Sequence, residues 1–434
     1  MKARNSYLVA ALLVLLSLLS IFRLFRIIDI TFSPTGGLDF HSFWYSGQFI
    51  RQGEDPFRAS LENLQPRVPI WYVDGKTTTS LPVSQGLTIG TSYPAFVYLF
   101  LIPFSFFSWP TAKILWMAIN LGLMFLVPVL VVNLFRQKSI VSSSHRAIVC
   151  LAPWGLLATS EAIGNGQTSY LVLTLSLVAL LTASKNRLVA GIALGVALSK
   201  YSLCLPFLLF LLFLKKEYRV VAIAIILQVL GFLLLSVLTK TSFISLLGEY
   251  YRIVTTLINS HGINLESLLS PHYYVAYFLV LALTFLAVWC CWRMTHPREP
   301  RLAQVDATAR VDLERSRAEI IHLHALNLLA IWTLLSFYHG EYDAVVFILF
   351  VAMIVFGLAN NYWDIQPEHK VLVVISTLAA VLLMSRPGVS VTSILPASLS
   401  RLGALLASSG VTSLALLISF AISLWLSLRI RATR

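Results

Sequence analysis

Charge is the scarcest property of this sequence: only 12% of its 434 residues are Asp, Glu, Lys or Arg, against 58% that are hydrophobic. In its place stand apolar runs of 17 to 25 residues, each long enough to cross about 30 Å of hydrocarbon as a helix. The runs lack the alternation of a barrel strand. In lipid only helices and closed barrels satisfy their backbone groups, so a polytopic membrane helical bundle remains, and the expected fold class is all-α.

Other absences narrow the reading. Cys150, Cys204, Cys290 and Cys291 all fall in apolar segments, with neither metal spacing nor a disulfide framework, and read as structural. A glycine-rich nucleotide motif is missing, which argues against a nucleotide-sugar donor, and no repeat recurs at a fixed period. The apolar stretch after Arg4 is too long for a secretory signal and lacks a small-residue cleavage site, so it reads as an uncleaved first span. The formal charge of +13 sits in short clusters at the ends of apolar runs. That is the positive-inside pattern, which makes the lipid bilayer with its anionic headgroups the partner of this charge and excludes nucleic acid.

Candidate spans fall at 7–28, 111–134, 147–163, 168–184, 219–240, 272–292, 321–338, 342–359, 369–386 and 409–428. Two apolar pieces stand apart: 93–109, punctuated by proline, and 188–214, interrupted by "SKYS". With Lys2 and Arg4 inside, the basic clusters 136–146, 185–187, 215–219, 293–317 and 429–434 are all cytoplasmic only if neither piece crosses. The first then lies on or dips into the outer surface. The second becomes a re-entrant pair of half-helices, since 12 residues at 1.5 Å each reach only about 18 Å; the alternative is one long tilted span. The expected count is ten to twelve transmembrane helices with both termini cytoplasmic. Residues 29–92 form a large outer loop with juxtamembrane helices, and the mixed-charge stretch 293–320 is a cytoplasmic linker between a module at 1–292 and a helix set at 321–434.

Polar groups collect on the outer side of this threading: Asp39, His41, Glu54 and Asp55, then "GNGQTS" at 164–169, "HGINLESLLSP" at 261–271 and "YHGEYD" at 338–343. Ionisable residues at membrane depth are costly and point to function, and Lys200 within an apolar run is the clearest case. It reads as a cation for a phosphate or carboxylate, or as a snorkelling or structurally paired side chain. Asp39 reads as a functional carboxylate, as a solvated loop group, or as the N-cap of the helix "FHSFWYSGQFI", where Ser42 is a second capping candidate. Helical spacing sets Phe43, Trp44 and Gly47 near one face, an aromatic wall for a sugar or for lipid, and in "GEDPF" Pro56 is expected to end that helix.

Five segments in order, "LDFHSFWYSGQFIRQGEDPF", "YPAF" with Pro103, Trp116 and Asn120 following, "NGQTSYLVL", "AGIALGVALSKYS" and "HGEYDAVV", resemble glycosyltransferase family 87 of the GT-C membrane class over about residues 1–350. The resemblance implies a hexosyltransferase of the EC 2.4 type that moves a sugar, most often mannose, from a polyprenyl-phosphate-linked donor to a glycolipid or glycan acceptor at the outer face of the cell (plasma or inner) membrane. It implies that Asp39 is the catalytic base, that Lys200 and His339 lie near the donor phosphate, and that the loop helices shape the substrate cavity. Candidates for that cavity are His41, Trp44, Tyr45, Asn165, Gln167 and Asp343. Relatives often carry a proline soon after the lysine and a simpler "H.YD"; here Pro206 comes later and the histidine precedes "GEYD". A single carboxylate implies direct displacement with inversion, and these residues require neither a metal nor a cofactor, although Asp39 with Glu54 or Asp55 could recruit a divalent ion. The competing class is a transporter or flippase of a lipid-linked glycan, but the chain has only one evident helix break, not a matched pair in two repeats.

Overall fold

The computed structural model describes residues 2–33, 36–62, 93–136, 142–257, 273–295, 307–337, 341–385 and 409–430. Among them the regular elements are helices, and extended backbone pairs only in an isolated antiparallel bridge between Trp363 and Ile430. In chain order these are α1 (Lys2–Phe32), α2 (Leu38–Arg51), α3 (Pro56–Leu61), α4 (Ala95–Leu101), α5 (Trp109–Arg136), α6 (Ser143–Gly155), α7 (Leu157–Gly164), α8 (Ser169–Thr182) and α9 (Arg187–Ala197). They continue as α10 (Tyr201–Leu209), α11 (Tyr218–Thr239), α12 (Phe243–Leu257), α13 (Tyr273–Thr295), α14 (Ala307–Ser336), α15 (Ile348–Ala359), α16 (Pro367–Ser385) and α17 (Ser409–Ser427). The chain divides into two compact units, one of Leu24–Val127 with Ser160–His261, the other of Met1–Arg23, Pro128–Thr159 and Gly262–Arg434.

The first unit is centred on aromatic side chains: Phe40, Phe43, Trp44, Phe49, Phe57, Tyr98, Trp116 and Phe232 are buried together. The short helix α3 of this unit starts for local reasons. Asp55 caps α3 by accepting from the N–H groups of Phe57 (2.9 Å) and Arg58 (3.4 Å), and Pro56 takes the first helical position, where its missing N–H costs nothing. Pro56 therefore opens a helix and does not close one, contrary to the expectation from "GEDPF"; α2 has already ended at Arg51. Helices α9 and α11 approach closely because Gly191 and Gly195 face Ile223 and Leu227, and a Cβ at either glycine would come within 2.7 Å of those side chains. The glycines of "AGIALGV" thus serve as a small-xxx-small contact between apolar helices.

The second unit joins its helices with single polar bonds in apolar surroundings. Asn327 Nδ2 donates to Ser423 Oγ at 2.9 Å, linking α14 to α17, and Trp332 Nε1 donates to Thr284 Oγ1 at 3.0 Å, linking α14 to α13. Trp363 Nε1 donates to His324 Nε2 at 2.6 Å, and its ring fills the space left by Gly357.

Among the described residues, five helices are long and apolar enough to cross a membrane: Trp109–Phe135, Arg187–Leu214, Tyr218–Thr239, Tyr342–Ala359 and Pro367–Ser385. A sixth results if Ser143–Gly155 and Leu157–Gly164, bent by 59° between them, are taken as one span. The molecule is therefore a polytopic helical membrane protein. Two expectations change. Residues 187–214 form one helical run of 28 residues, the long-span alternative and not two half-helices, because a 3-10 turn at Leu198–Lys200 and a π turn at Phe210–Leu214 absorb the irregularity without ending the helix. At about 1.5 Å per residue that run exceeds the hydrocarbon thickness. The break falls instead within the expected simple span 147–163, where Pro153 precedes an extended Leu156 and the Pro153 carbonyl accepts from the Thr159 hydroxyl.

Gly195→Val should force α9 away from Leu227 and Ala224 and destabilise the protein by about 1–3 kcal/mol, read as a lower thermal midpoint in detergent. Gly248→Ala, where a Cβ meets nothing within 4 Å, should leave the midpoint unchanged or slightly higher.

Candidate active site

Helix α7 ends in a Schellman turn. Gly166 has φ 72°, the Gln167 N–H donates to the Ala162 carbonyl at 2.8 Å, and the Gly166 N–H donates to Ile163 at 3.1 Å. The next carbonyls, which have no partner within α7, point at the start of α2. The Gly164 carbonyl accepts from Gly37 N–H at 2.9 Å, and the Asn165 carbonyl accepts from Asp39 N–H at 3.0 Å and Phe40 N–H at 3.3 Å. One helix end thereby satisfies the other, the orphan acceptors of α7 meeting the orphan donors of α2. Neither Asp39 nor Ser42 is the N-cap: Gly37 holds that position without a side-chain cap, and Ser42 Oγ donates back to the Asp39 carbonyl at 2.7 Å. A Cβ on Gly166 would lie 2.5 Å from Phe40 Cβ, so the turn and α2 touch directly.

Asp39 stands half-buried in the first turn of α2, at the positive end of that helix dipole. The same turn carries the cation site. Lys200 is only 7% exposed, and its Nζ donates to Gln167 Oε1 and to Ser169 Oγ, each at 3.0 Å. Tyr93 Oη donates to the same Gln167 oxygen at 3.1 Å. The chain from Asn165 to Ser169 thus holds the backbone of the carboxylate residue at one end and the ammonium of the lysine at the other. Trp116 fixes this loop from below by donating Nε1 to the Gly166 carbonyl at 2.8 Å while stacking on Phe40, ring centres 5.0 Å apart.

His41, Trp44 and Tyr45 come together on α2 with Trp109. The His41 ring meets Trp109 edge-on at 4.8 Å and stacks on Tyr45 at 5.5 Å, and Trp44 Nε1 donates to the Phe107 carbonyl at 3.0 Å. All three are buried. Burial lowers the His41 pKa from 6.5 to about 4, so at neutral pH its ring is uncharged. Asp343 is buried in the other unit, in the 3-10 turn Glu341–Phe347. His339 lies outside the described residues.

Two participants were not flagged from sequence. Glu161 accepts from Arg26 Nη2 at 2.8 Å through one oxygen and from Asn165 Nδ2 at 3.1 Å through the other. It is the only charged residue in the apolar run 147–163, the same signal that singled out Lys200. Lys113 is buried beside the start of α2, its stem against Gly37 and its ammonium 5.9 Å from the Trp109 ring centre. Among the described residues no three His, Cys, Asp or Glu side chains converge as a metal site.

A carboxyl pair lies elsewhere in this unit. Glu249 of α12 meets Asp55, the cap of α3, with Arg58 and Ser245 beside it; Asp55 Oδ2 and Glu249 Oε2 are both buried and accept no hydrogen bond. Burial, then the neighbouring Asp55 carboxyl, raise the Glu249 pKa from 4.5 to about 7. A raised acid favours the folded state while protonated, so its contribution is complete below about 4.5 and is lost as pH rises to about 7. His41, with a lowered pKa, acts oppositely and favours the folded state as pH rises from about 4 to 6.5. Comparison with Glu249→Gln isolates the carboxyl: the midpoint of the wild type relative to the variant should fall by about 2 °C between pH 5 and pH 7.5.

The model of glycosyltransferase family 87 matches residues 91–311, about half of the chain. The match covers Asn165, Gln167 and Lys200 but not Asp39, His41, Trp44 or Tyr45, nor His339 or Asp343. No curated protein and no solved structure matches the chain. A loop that ties a half-buried carboxylate residue to a buried lysine, within a polytopic helical protein matched over that length, leads to one assignment. The chain belongs to glycosyltransferase family 87, a family of membrane glycosyltransferases.

Proposed function

We propose that this glycosyltransferase takes its sugar, most often mannose in the family, from a polyprenyl-phosphate donor. It passes the sugar to a hydroxyl of a glycolipid or glycan at the outer face of the cell membrane, with inversion. The polyprenyl chain occupies the bilayer between helices, and the phosphate sits at the interface. Asp39 takes the proton of the acceptor hydroxyl as its oxygen bonds to the anomeric carbon. The anomeric carbon–oxygen bond to phosphate breaks, and the monoanionic diester leaves as a more highly charged monoester. Lys200 stabilises that developing charge. Asn165 and Gln167 hold the loop between the two roles, while His41, Trp44 and Tyr45 shape the sugar and acceptor sites.

The observation that carries this reading is the shared loop: Asp39 N–H is bonded to Asn165, and Lys200 Nζ is bonded to Gln167 and Ser169. A base and a phosphate cation act on opposite sides of one carbon, so their separation must be controlled, and a five-residue turn bonded to both residues supports that reading. Uncharged His41 fits a sugar-facing role better than a phosphate-facing one.

Membranes bearing wild type or Asp39→Asn at equal abundance, given a radiolabelled panel of polyprenyl-phosphate sugars, test the proposal. Wild type should transfer one sugar to endogenous lipid acceptors, and the variant should be slower by about 100-fold or more. Equal rates would remove Asp39 from the role of base. Transfer by neither, across the panel, would favour a carrier of lipid-linked glycan.

A further inference from the structure

Glu161 divides its two carboxylate oxygens between different partners. Oε1 pairs with Arg26 Nη2 of α1 at 2.8 Å, and Oε2 accepts from Asn165 Nδ2 at 3.1 Å. A carboxylate that served only to join α1 to α7 would do best with both oxygens on the guanidinium, in the bidentate geometry that Arg favours. Here half of its capacity goes to the side chain of the residue whose carbonyl receives Asp39 N–H and Phe40 N–H. Both members of the ion pair are largely enclosed, at 24% and 20% side-chain exposure, and both lie in apolar helices, where ionisable groups are costly to keep.

The consequence follows through the backbone. Asn165 is the last residue before Gly166 turns the chain with positive φ, and nothing in the Schellman turn itself fixes the rotation of its side chain. The hydrogen bond to Glu161 does so, and Arg26 in turn holds the Glu161 carboxylate in place. A swing of this turn would carry the Asn165 carbonyl away from the first turn of α2 and shift Asp39 with it.

We infer that Glu161, oriented by Arg26, is a positioning residue that sets the turn at Asn165 and through it the place of the Asp39 carboxylate. The inference rests on the reading of Asp39 as the base, but its structural half is independent of that reading. The step it supports is the acceptor proton transfer, for which the carboxylate must lie within hydrogen-bond reach of the hydroxyl.

The experiment compares wild type, Glu161→Ala, Glu161→Gln and Asp39→Asn, purified at full length in detergent with matched thermal midpoints verified. Amide hydrogen exchange is followed in the segment 37–42, and sugar transfer is followed from the polyprenyl-phosphate donor identified by the panel. Glu161→Ala should speed exchange in 37–42 about tenfold or more, leave exchange in α11 unchanged, and lower kcat about tenfold with KM for the donor within about twofold. Glu161→Gln keeps an oxygen for Asn165 and should recover both exchange and kcat to within about threefold. Unchanged exchange in 37–42 for Glu161→Ala would overturn the positioning role, as would a Glu161→Gln variant no better than Glu161→Ala. Should Asp39→Asn transfer sugar as fast as wild type, the base assignment fails on its own, and the exchange data still decide whether Glu161 anchors the turn.

Discussion

The structure around the candidate site depends on the meeting of two helix ends. Every helix leaves donors unsatisfied at its start and acceptors unsatisfied at its finish, and burial makes each of them costly. In this protein the finish of α7 is set against the start of α2, so that Gly164 and Asn165 supply carbonyls to Gly37, Asp39 and Phe40. Opposite ends of two helix dipoles face one another there, which favours the contact electrostatically as well as by hydrogen bonding. The arrangement leaves Asp39 free of the capping duty that its sequence position first implies.

The contact demands small residues and large ones in set places. Gly166 is required twice, for its positive φ and because Phe40 Cβ occupies the space a side chain would need. Phe40 then stacks on Trp116, whose indole returns a hydrogen bond to the Gly166 carbonyl. The aromatic core of the unit and the polar loop above it are therefore one packing problem. A change in the core at Phe40 or Trp116 reaches the loop without any polar group being altered.

Much of this was legible from sequence, in proportion to how local the physics is. Apolar length announced the helices, and the cost of a buried charge announced Lys200, because both are properties of a single segment. Glu161 answered to the same rule but stood at the end of its run, where a charge reads as a helix boundary. The sequence leaves 188–214 open between a re-entrant pair and one tilted span because "SKYS" looks like a breaker, and a single 3-10 turn at Leu198–Lys200 accommodates it within one helix. The bend at Leu156 was hidden for the opposite reason, since one proline in an apolar run is common in membrane helices and need not break them. Pairings across the fold, such as Asn165 with Asp39 or Asp55 with Glu249, have no signature in spacing at all. They join segments that are far apart in sequence and only folding brings them together.

The shared loop also bears on how charge would be handled at this site. A lysine at 7% exposure, held by a glutamine oxygen and a hydroxyl, is oriented before any anion arrives. Both of these partners are neutral, so neither of them opposes the field of the ammonium. An oriented cation need not be reorganised as negative charge grows on a leaving group. A fixed cation is useful only if the base is fixed relative to it, and the turn from Asn165 to Ser169 is short and bonded at both ends. Under the proposed mechanism, the placing of that turn would set how well proton removal and phosphate departure are matched.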